Sequence, residues 1–594
     1  MRRWTEVLAF VLLFALAAWQ FDGLGAAWSA PIPHGPDEDW DWQLTLWQAG
    51  LQCVRAGELP GWNPWTGGGL PLWAHPESPF LYPPWWLSLW LGTDLTIKLI
   101  LLGHLALLVV GAGLAGRELG LPVAGAQFAA LFALCSAFLP DFIAYGHIMF
   151  VGVGWLPLAW VALRRGRWAW AGVALAMPLL SGGHYLALYG VLWLILDGLS
   201  RALQPERSRW LCAVLALNGL ALGLGWLAWP LGAALLLALA VQRPARGATL
   251  WPLVGALAVA GLLMLPKLGP MVILLGKSAR MSAQASFSVA DPYTLPELLR
   301  VLSGWVPRPS GHEGPNVFFS PIPVLLGLVG LGVVGWRRPD WGLTGWVFWN
   351  LGWGGATPLN LLALVHRLPG FELIRVVERY SLIWTLFLGW SAGALLSLAW
   401  SRSRVAGALL ALTLLSWVPG AARSAAGLQR MGPGPSPAIA AGDFVQVRGE
   451  GSNYHSVLAN QGRPDRSTSG APPAPAAGLR AVGEEGYKGE AWLLETGEPL
   501  QATLSPGRVR LVLPRAGTAV LNQNAWPGWR SERGQVDTTQ GLVSVHGEAG
   551  QLELRYSVPW LRLSSAISLV GLVALGLLAG RMRTRDSTEP SSHS

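Results

Sequence analysis

RRGRWAWAGVALAMPLLSGGHYLALYGVLWLILDGLSRALQPERSR, residues 164–209, holds two apolar runs, 168–182 and 184–202, set between Arg-bearing turns. Wound as a helix, a run of this kind approaches the roughly 30 Å thickness of bilayer hydrocarbon. It must be wound so, because lipid offers the backbone no hydrogen-bond partner. The stretch therefore reads as a helical hairpin with its basic ends on one side of a membrane and its SGGH turn on the other.

The same pattern continues in both directions. Further candidate spans are 5–21, 94–116, 122–143, 147–163, 210–224, 226–241, 248–274, 317–336, 341–356, 380–400, 404–420 and 561–580. With the central pair they make about fourteen helices, and the chain reads as a polytopic α-helical membrane protein. Composition agrees: 52% of the 594 residues are apolar, 13% are charged and mean hydropathy is +0.41. A soluble globular chain does not have that balance.

With Arg2 and Arg3 in the cytoplasm, alternate turns carry Arg117, Arg164 with Arg165 and Arg167, Arg207 with Arg209, Arg243 with Arg246, Arg337 with Arg338, and Arg402 with Arg404. The tail with Arg581, Arg583 and Arg585 ends on the same side. Every turn expected in the cytoplasm is basic, as orientation rules require. The net charge of +9 is thus spread over segment ends, which argues against nucleic-acid binding. MRRWTEVLAFVLLFALAAW, 1–19, has the marks of a signal peptide but reads better as a retained first helix, since it anchors one end of the loop that follows. Cys53, Cys135 and Cys212 have no metal or disulfide spacing and read as packing residues.

Three blocks follow: a transmembrane unit 1–420 with a long first outer loop 22–93 and another at 277–316, a β-rich outer block 421–558, and a last helix with a cytoplasmic tail, 559–594. In the second block Leu552, Leu554, Tyr556 and Val558 alternate with polar residues, and RVRLVLP (508–514) and GLVSVHG (541–547) are further strands, which suggests a sandwich. The Pro- and Ala-rich stretch 463–480 reads as a mobile loop.

The first outer loop carries the densest chemistry. PHGPDEDWDWQ (33–43) places Asp37, Glu38, Asp39 and Asp41 among Trp residues. Leu44, Trp47, Leu51 and Val54 then follow helical spacing and predict a helix in the membrane interface. GELPGWNPWTGGGLPLWAHPESPFLYPP (57–84) is too rich in Gly and Pro for a helix and makes a stiff, shaped loop containing Asn63, His75 and Glu77. A carboxylate here can take a proton from an attacking hydroxyl, and two can hold a divalent cation, Mg or Mn, over a phosphate. Asp37, Asp39 and Asp41 are the candidate ligands; the plainer reading is that the acids only keep a loop hydrated.

Lys277, Arg280, Arg300, Arg308, Arg367, Arg375 and Arg379 fall on the outer side against the orientation rule. They read either as headgroup contacts or as an anion site for a lipid-linked phosphate. Lys267 snorkels to that surface if shallow and is a site candidate if buried. His147 and His184, each after a Gly at an outer helix end, either cap those ends or contact a phosphate or sugar hydroxyl. Trp526 and Trp529 read as sandwich core in preference to a sugar platform.

The string from the acids through GELPGWNP to GLPLWAHPESPFLYPP resembles the first outer loop of the YfhO-like family of bacterial integral membrane proteins, in the GT-C class of glycosyltransferases. Further matches run in order: GHIMFVGVGWLPL from Gly146, SGGHYLALYG from Ser181, LPGFELIRVVERY from Leu368, SVLANQGRPDR from Ser456, and NAWPGWRSERG leading to ELRYSVPWLRLSSAIS. The resemblance implies a GT-C-like fold in the cytoplasmic membrane. It also implies transfer of a sugar from a polyprenyl-phosphate donor to an extracytoplasmic glycan or lipid acceptor.

It further implies an acid of the first loop as catalytic base or metal contact, which aligns near Asp37 with Asp39 next. Arg375 and Arg379 match basic positions for the donor phosphate, although Glu378 stands where the family pattern leads one to expect a small residue or Pro. Lys277, Arg280, Asn63, His75, His147 and His184 complete the expected substrate contacts. The rival classes are a transporter or flippase of lipid-linked sugars, which should show mid-span charges and broken helices, and a non-catalytic assembly protein working through its β block.

Overall fold

Small residues decide how the apolar helices meet. The computed structural model describes residues 39–135, 146–244, 250–276, 321–374, 377–399, 443–448, 452–464 and 476–586, with a few isolated positions between them. Its principal helices are α1 (Asp39–Arg55), α2 (Thr93–Glu118), α3 (Val123–Cys135), α4 (Trp155–Arg164), α5 (Trp168–Leu180), α6 (His184–Ala202) and α7 (Pro205–Leu220). They continue as α8 (Ala228–Ala240), α9 (Trp251–Gly276), α10 (Pro321–Arg337), α11 (Pro339–Trp353), α12 (Ser381–Ala399), α13 (Asn453–Leu458) and α14 (Leu561–Asp586).

α12 lies against α3 and α10. At its contact with α3 a Cβ on Gly393 would stand 2.2 Å from the carbonyl oxygen of Gly125, so only hydrogen fits there. In lipid, where apolar contact alone gains little, such close approach is what holds helices together.

Among the described residues five helices are long and apolar enough to cross a membrane: α2, α6, α9, and most of α12 and α14. Shorter apolar helices accompany them, and the chain is a membrane protein on that basis. The spans expected at 5–21 and 404–420 fall on residues outside those described, apart from isolated positions in the second. α4 extends a 3-10 segment, Ile148–Gly154. At about 2.0 and 1.5 Å per residue the two together run roughly 29 Å.

That segment separates two ends with different chemistry. At its Arg164 end, Arg164 bonds Asp197 at 2.5 Å and Asp340 at 2.8 Å, Arg201 pairs with Asp197 at 3.0 Å, and Arg338 with Asp340 at 3.1 Å. These basic turns therefore share one end of the bundle. At the other end stands His147.

α9 ties the first loop to the bundle through a proline defect. Pro270 has no N–H, so the carbonyl of Pro266 one turn earlier has no helical partner, and the Trp73 Nε1–H donates to it at 3.1 Å. Next to it Lys267 is buried, not snorkelled, and its Nζ donates to the carbonyls of Ser78 (2.6 Å) and Leu179 (2.8 Å). Its burial is balanced by backbone acceptors, which gives it a clamping role between loop and helices.

The C-terminal strands form two four-stranded antiparallel sheets. After two short pairs, β1 (Trp62–Asn63) with β2 (Leu70–Pro71) and β3 (Val445–Gln446) with β4 (Gln461–Gly462), come β5 (Ala491–Leu493), β6 (Ala502–Ser505), β7 (Arg508–Leu513) and β8 (Gly517–Asn524). β9 (Trp529–Ser531), β10 (Gly534–Thr539), β11 (Leu542–Gly547) and β12 (Gly550–Tyr556) complete them, in the orders β10-β11-β8-β5 and β6-β7-β12-β9. Leu552 and Leu554 point into the core with Trp526 and Trp529, as strand alternation predicts. Residues 465–475 of the expected mobile loop are not among those described.

The first loop enters that core. Trp62 is fully buried, 5.3 Å from the Trp529 ring and 4.8 Å from the Tyr556 ring, and its Nε1–H donates to Gln523 Oε1 at 2.9 Å. The turn behind it uses Gly67, Gly68 and Gly69 at positive φ, and Asn524 Nδ2 donates to the carbonyls of Gly67 and Gly69. Only glycine fits at 69, where a Cβ would meet the Trp62 ring at 2.3 Å. α1 also departs from expectation. Gln43 and Gln48 are as buried as Leu44 and Trp47, Gln43 donating to Glu77 and Gln48 accepting from Thr93 of α2, so the helix is enclosed within the protein and does not float in an interface.

Candidate active site

The first turn of α1 holds two aspartates with opposite assignments. Acidic groups suit this position because the unpaired N–H groups of a helix N-terminus favour negative charge. Asp41 is fully buried; its carboxylate accepts from the Ser452 hydroxyl, the Asn453 N–H (2.8 Å) and the Tyr454 N–H (3.0 Å). It thereby caps α13, and its oxygens are committed to the segment ahead of the sandwich. Asp39, about half exposed, instead meets His147, with Nδ1 to Oδ2 at 3.2 Å.

Two local features bring the pair together. Gly146 adopts φ +84° and lies against the backbone of Asp39 and Trp40, where a Cβ would stand 2.4 Å from the Trp40 nitrogen. The Trp40 Nε1–H donates to the Ile143 carbonyl at 2.8 Å. His147 stands just ahead of the Ile148–Arg164 span. Burial, and then the Arg379 guanidinium, hold its imidazole down to about 3, so the ring is neutral. With Nδ1–H donated to Asp39, Nε2 keeps the lone pair.

Arg379 stands at the start of α12. Its guanidinium carbon is 5.0 Å from the Phe150 ring and 4.9 Å from the Tyr185 ring, two rings that stack at 16°. Among the described residues its Nε has no hydrogen-bond partner. A guanidinium held in place on two aromatic rings suits an arriving phosphate.

A second carboxylate comes from the Gly- and Pro-rich loop. Glu77 accepts from Trp42 Nε1 (3.1 Å) and Gln43 Nε2 (2.8 Å), both on α1. His75 accepts the Glu77 N–H on Nδ1 at 3.2 Å and meets the Trp42 ring edge-on at 5.0 Å. Gly182, at φ +101°, packs on the Glu77 backbone, so the SGGH turn of the opening hairpin touches this loop. His184 follows, Nδ1 3.4 Å from the Gly182 carbonyl and its ring 4.1 Å from that of Tyr185.

The structure thus brings Asp39, His147 and Arg379 into one group, with His184 beside it through Tyr185. Asn63 lies elsewhere: it is buried, donates to Thr66 Oγ1 and accepts from the Trp65 N–H. Its neighbour Trp62 bonds Cys53, roughly 21 Å down α1 from Asp39. Asp37, Lys277, Arg280 and Arg375 lie outside the described residues. No group of three or more His, Cys, Asp or Glu side chains suited to a metal ion occurs among those described. Phe150 and Tyr185 escaped the sequence reading, although each stands within three residues of a flagged histidine.

Because the His147 value is depressed on folding, the unfolded chain binds its proton more readily as pH falls below about 6.5. Its contribution to stability is full above that point and declines toward pH 3. Thermal unfolding of wild type and His147→Gln across that range checks this: the variant should lose less stability on acidification, and equal losses would show that His147 is protonated when folded.

No protein-family model matches the chain and no curated protein matches it, so the YfhO-like resemblance rests on the quoted motifs alone. Among solved structures, an apo oligosaccharyltransferase from Archaeoglobus fulgidus aligns over 79% of this chain and 65% of its own length, at 12% identity and a TM-score of 0.41. This chain therefore spans just under two thirds of that protein.

Proposed function

We propose that this protein is a membrane glycosyltransferase of the GT-C type that moves a sugar from a polyprenyl-phosphate donor to an extracytoplasmic glycan or lipid. The observation that carries the reading is Asp39 bonded to a neutral His147 beside the Arg379 guanidinium, which is held on the Phe150 and Tyr185 rings. The acceptor oxygen forms a bond to the anomeric carbon as the bond from that carbon to the phosphate oxygen breaks. The acceptor proton passes to the Asp39 carboxylate, and the phosphate leaves with the electron pair.

Arg379 meets the charge that grows on the leaving phosphate, where a preorganised donor contributes most. His147 is a positioning residue that orients the carboxylate. Asp37, two residues earlier, is the second candidate base. Asp37 and Asp39 are also the acids available to a divalent metal, since Asp41 is occupied as a cap. Arg375, Lys277 and Arg280 are further candidates for the donor phosphate, and His184 and His75 for sugar hydroxyls.

Membrane vesicles supplied with a radiolabelled polyprenyl-phosphate sugar test this. Arg379→Gln is expected to lower the rate of label transfer by about 10²-fold or more, as for loss of one charge-stabilising donor, with Arg379→Lys in between. Absence of transfer by wild type over a panel of common sugars, or an unimpaired Arg379→Gln, overturns the reading.

A further inference from the structure

The outward face of the sheet β6-β7-β12-β9 sets like charges opposite one another. Arg555 on β12 pairs in register with Arg508 on β7 and with Arg530 on β9, so three guanidinium groups form one row across adjacent strands. Arg510 stands on the same face, opposite Glu553. Glu553 is bonded to Arg508, Arg510 and Arg555, and among the described residues it is the one acid against four arginines on that face. Like charges directly opposite each other destabilise a sheet. The core does not need them, since Val509, Leu511, Leu552 and Leu554 supply its packing from the other face.

The row lies at the end of the sandwich that leads into the membrane helices. The β6–β7 turn beside Arg508 is held by Glu58 of the first loop, which accepts from the Ser505 hydroxyl and the Gly507 N–H. β12 runs on through Trp560 into α14, which keeps Arg555 within roughly 20 Å of that helix even at full extension of the chain. α14 meets α9 at Gly269, where an added Cβ would stand 3.0 Å from Ser564 and 3.9 Å from Trp560. Trp560 holds φ +62°, a backbone conformation that costs a bulky residue energy, and it is left 60% exposed. Arg562 and Leu563 beside it are exposed too.

An exposed indole beside arginines, where a chain enters lipid, matches the boundary of a bilayer, apolar on one side and anionic on the other. We propose that the row of Arg508, Arg555 and Arg530, with Trp560, is a docking surface for anionic phospholipid headgroups of the leaflet on the sandwich's side. A headgroup phosphate accepts two N–H groups from one guanidinium. A layer of such phosphates balances the opposed charges that the sheet by itself leaves unbalanced. Lipid charge then sets how closely the sandwich, and the first-loop turn bonded to it, is held to the bilayer. None of this rests on the transferase reading.

The test places a fluorophore on Thr503→Cys, which pairs with Arg510 on the same face, in the full-length protein in nanodiscs containing a lipid with a nitroxide headgroup. Changing the discs from pure phosphatidylcholine to about one third phosphatidylglycerol should raise quenching about twofold, and about 1 M salt should cancel the rise. The triple variant Arg508→Gln, Arg530→Gln, Arg555→Gln should show no rise. In pure phosphatidylcholine it should unfold at no lower temperature than wild type, because the opposed charges are gone. Arg515→Gln, beyond the other end of β7, should behave as wild type. Equal quenching in both lipids, a rise that survives the triple variant, or a triple variant less stable than wild type overturns the docking surface. Saturable binding of inorganic phosphate or polygalacturonate in pure phosphatidylcholine discs, lost in the triple variant, assigns the row to a soluble anion and overturns it as well.

Discussion

Asp39→Asn is expected to lower the rate constant for sugar transfer by about 10²- to 10⁴-fold, the contribution of a positioned general base. The substitution is nearly isosteric, and its amide oxygen still accepts from His147 Nδ1–H, so what disappears is basicity and not shape. In free-energy terms the loss is about 3–5 kcal/mol of transition-state stabilisation. It should fall on kcat with little change in KM, because the ground-state sugar contacts remain.

His147→Ala should cost less, roughly 10- to 100-fold through misorientation of the carboxylate, and His147→Gln should recover part of that because an amide N–H can replace the donor. Initial-rate measurements in vesicles over donor concentration decide between outcomes. A fully active Asp39→Asn variant transfers the role to Asp37, and full activity of the Asp37→Asn, Asp39→Asn double variant ends the carboxylate mechanism.

Asp41→Ala, two residues away, is expected to do something quite different: weaken the attachment of the sandwich. It leaves the Ser452 hydroxyl and the N–H groups of Asn453 and Tyr454 without their acceptor in a buried place. An orphaned buried donor costs about 1–3 kcal/mol, so the total for three of about 3–9 kcal/mol is comparable to the whole margin of a typical domain. Asp41→Asn keeps one acceptor oxygen and should lose about half as much. The measurement is thermal unfolding of the purified protein, with limited proteolysis of 476–560 reporting detachment. An unshifted transition would mean that the cap is not made in the folded protein.

These two aspartates also mark how far the sequence could be read. The spans were legible because lipid imposes one solution on a backbone, so hydropathy and length suffice at 168–182 and 184–202. Strand register at 552–558 was legible for a similar reason, the two-residue period of a half-buried face. Partners distant in the chain were not. Nothing in DEDWDW tells Asp39 from Asp41; the difference is that Ser452, 411 residues on, claims one and Gly146 allows His147 to reach the other. Helix α1 was legible as a helix, but its burial depends on Glu77 of the first loop and Thr93 of α2, which take up Gln43 and Gln48 on its polar side. Asn63 looked like a loop ligand and is spent on the turn that delivers Trp62.

That turn sets a timetable. Trp62 and its hydrogen-bond partner Gln523 are 461 residues apart, so at ~5–20 residues per second the first loop waits roughly 20–90 s for the strand that covers it. Until then an indole made for a dry core stands in water. Trp62 is covered only once the eighth of the twelve strands has been made. A chain truncated before β8 should therefore insert its helices yet leave the Trp62 loop open to proteases.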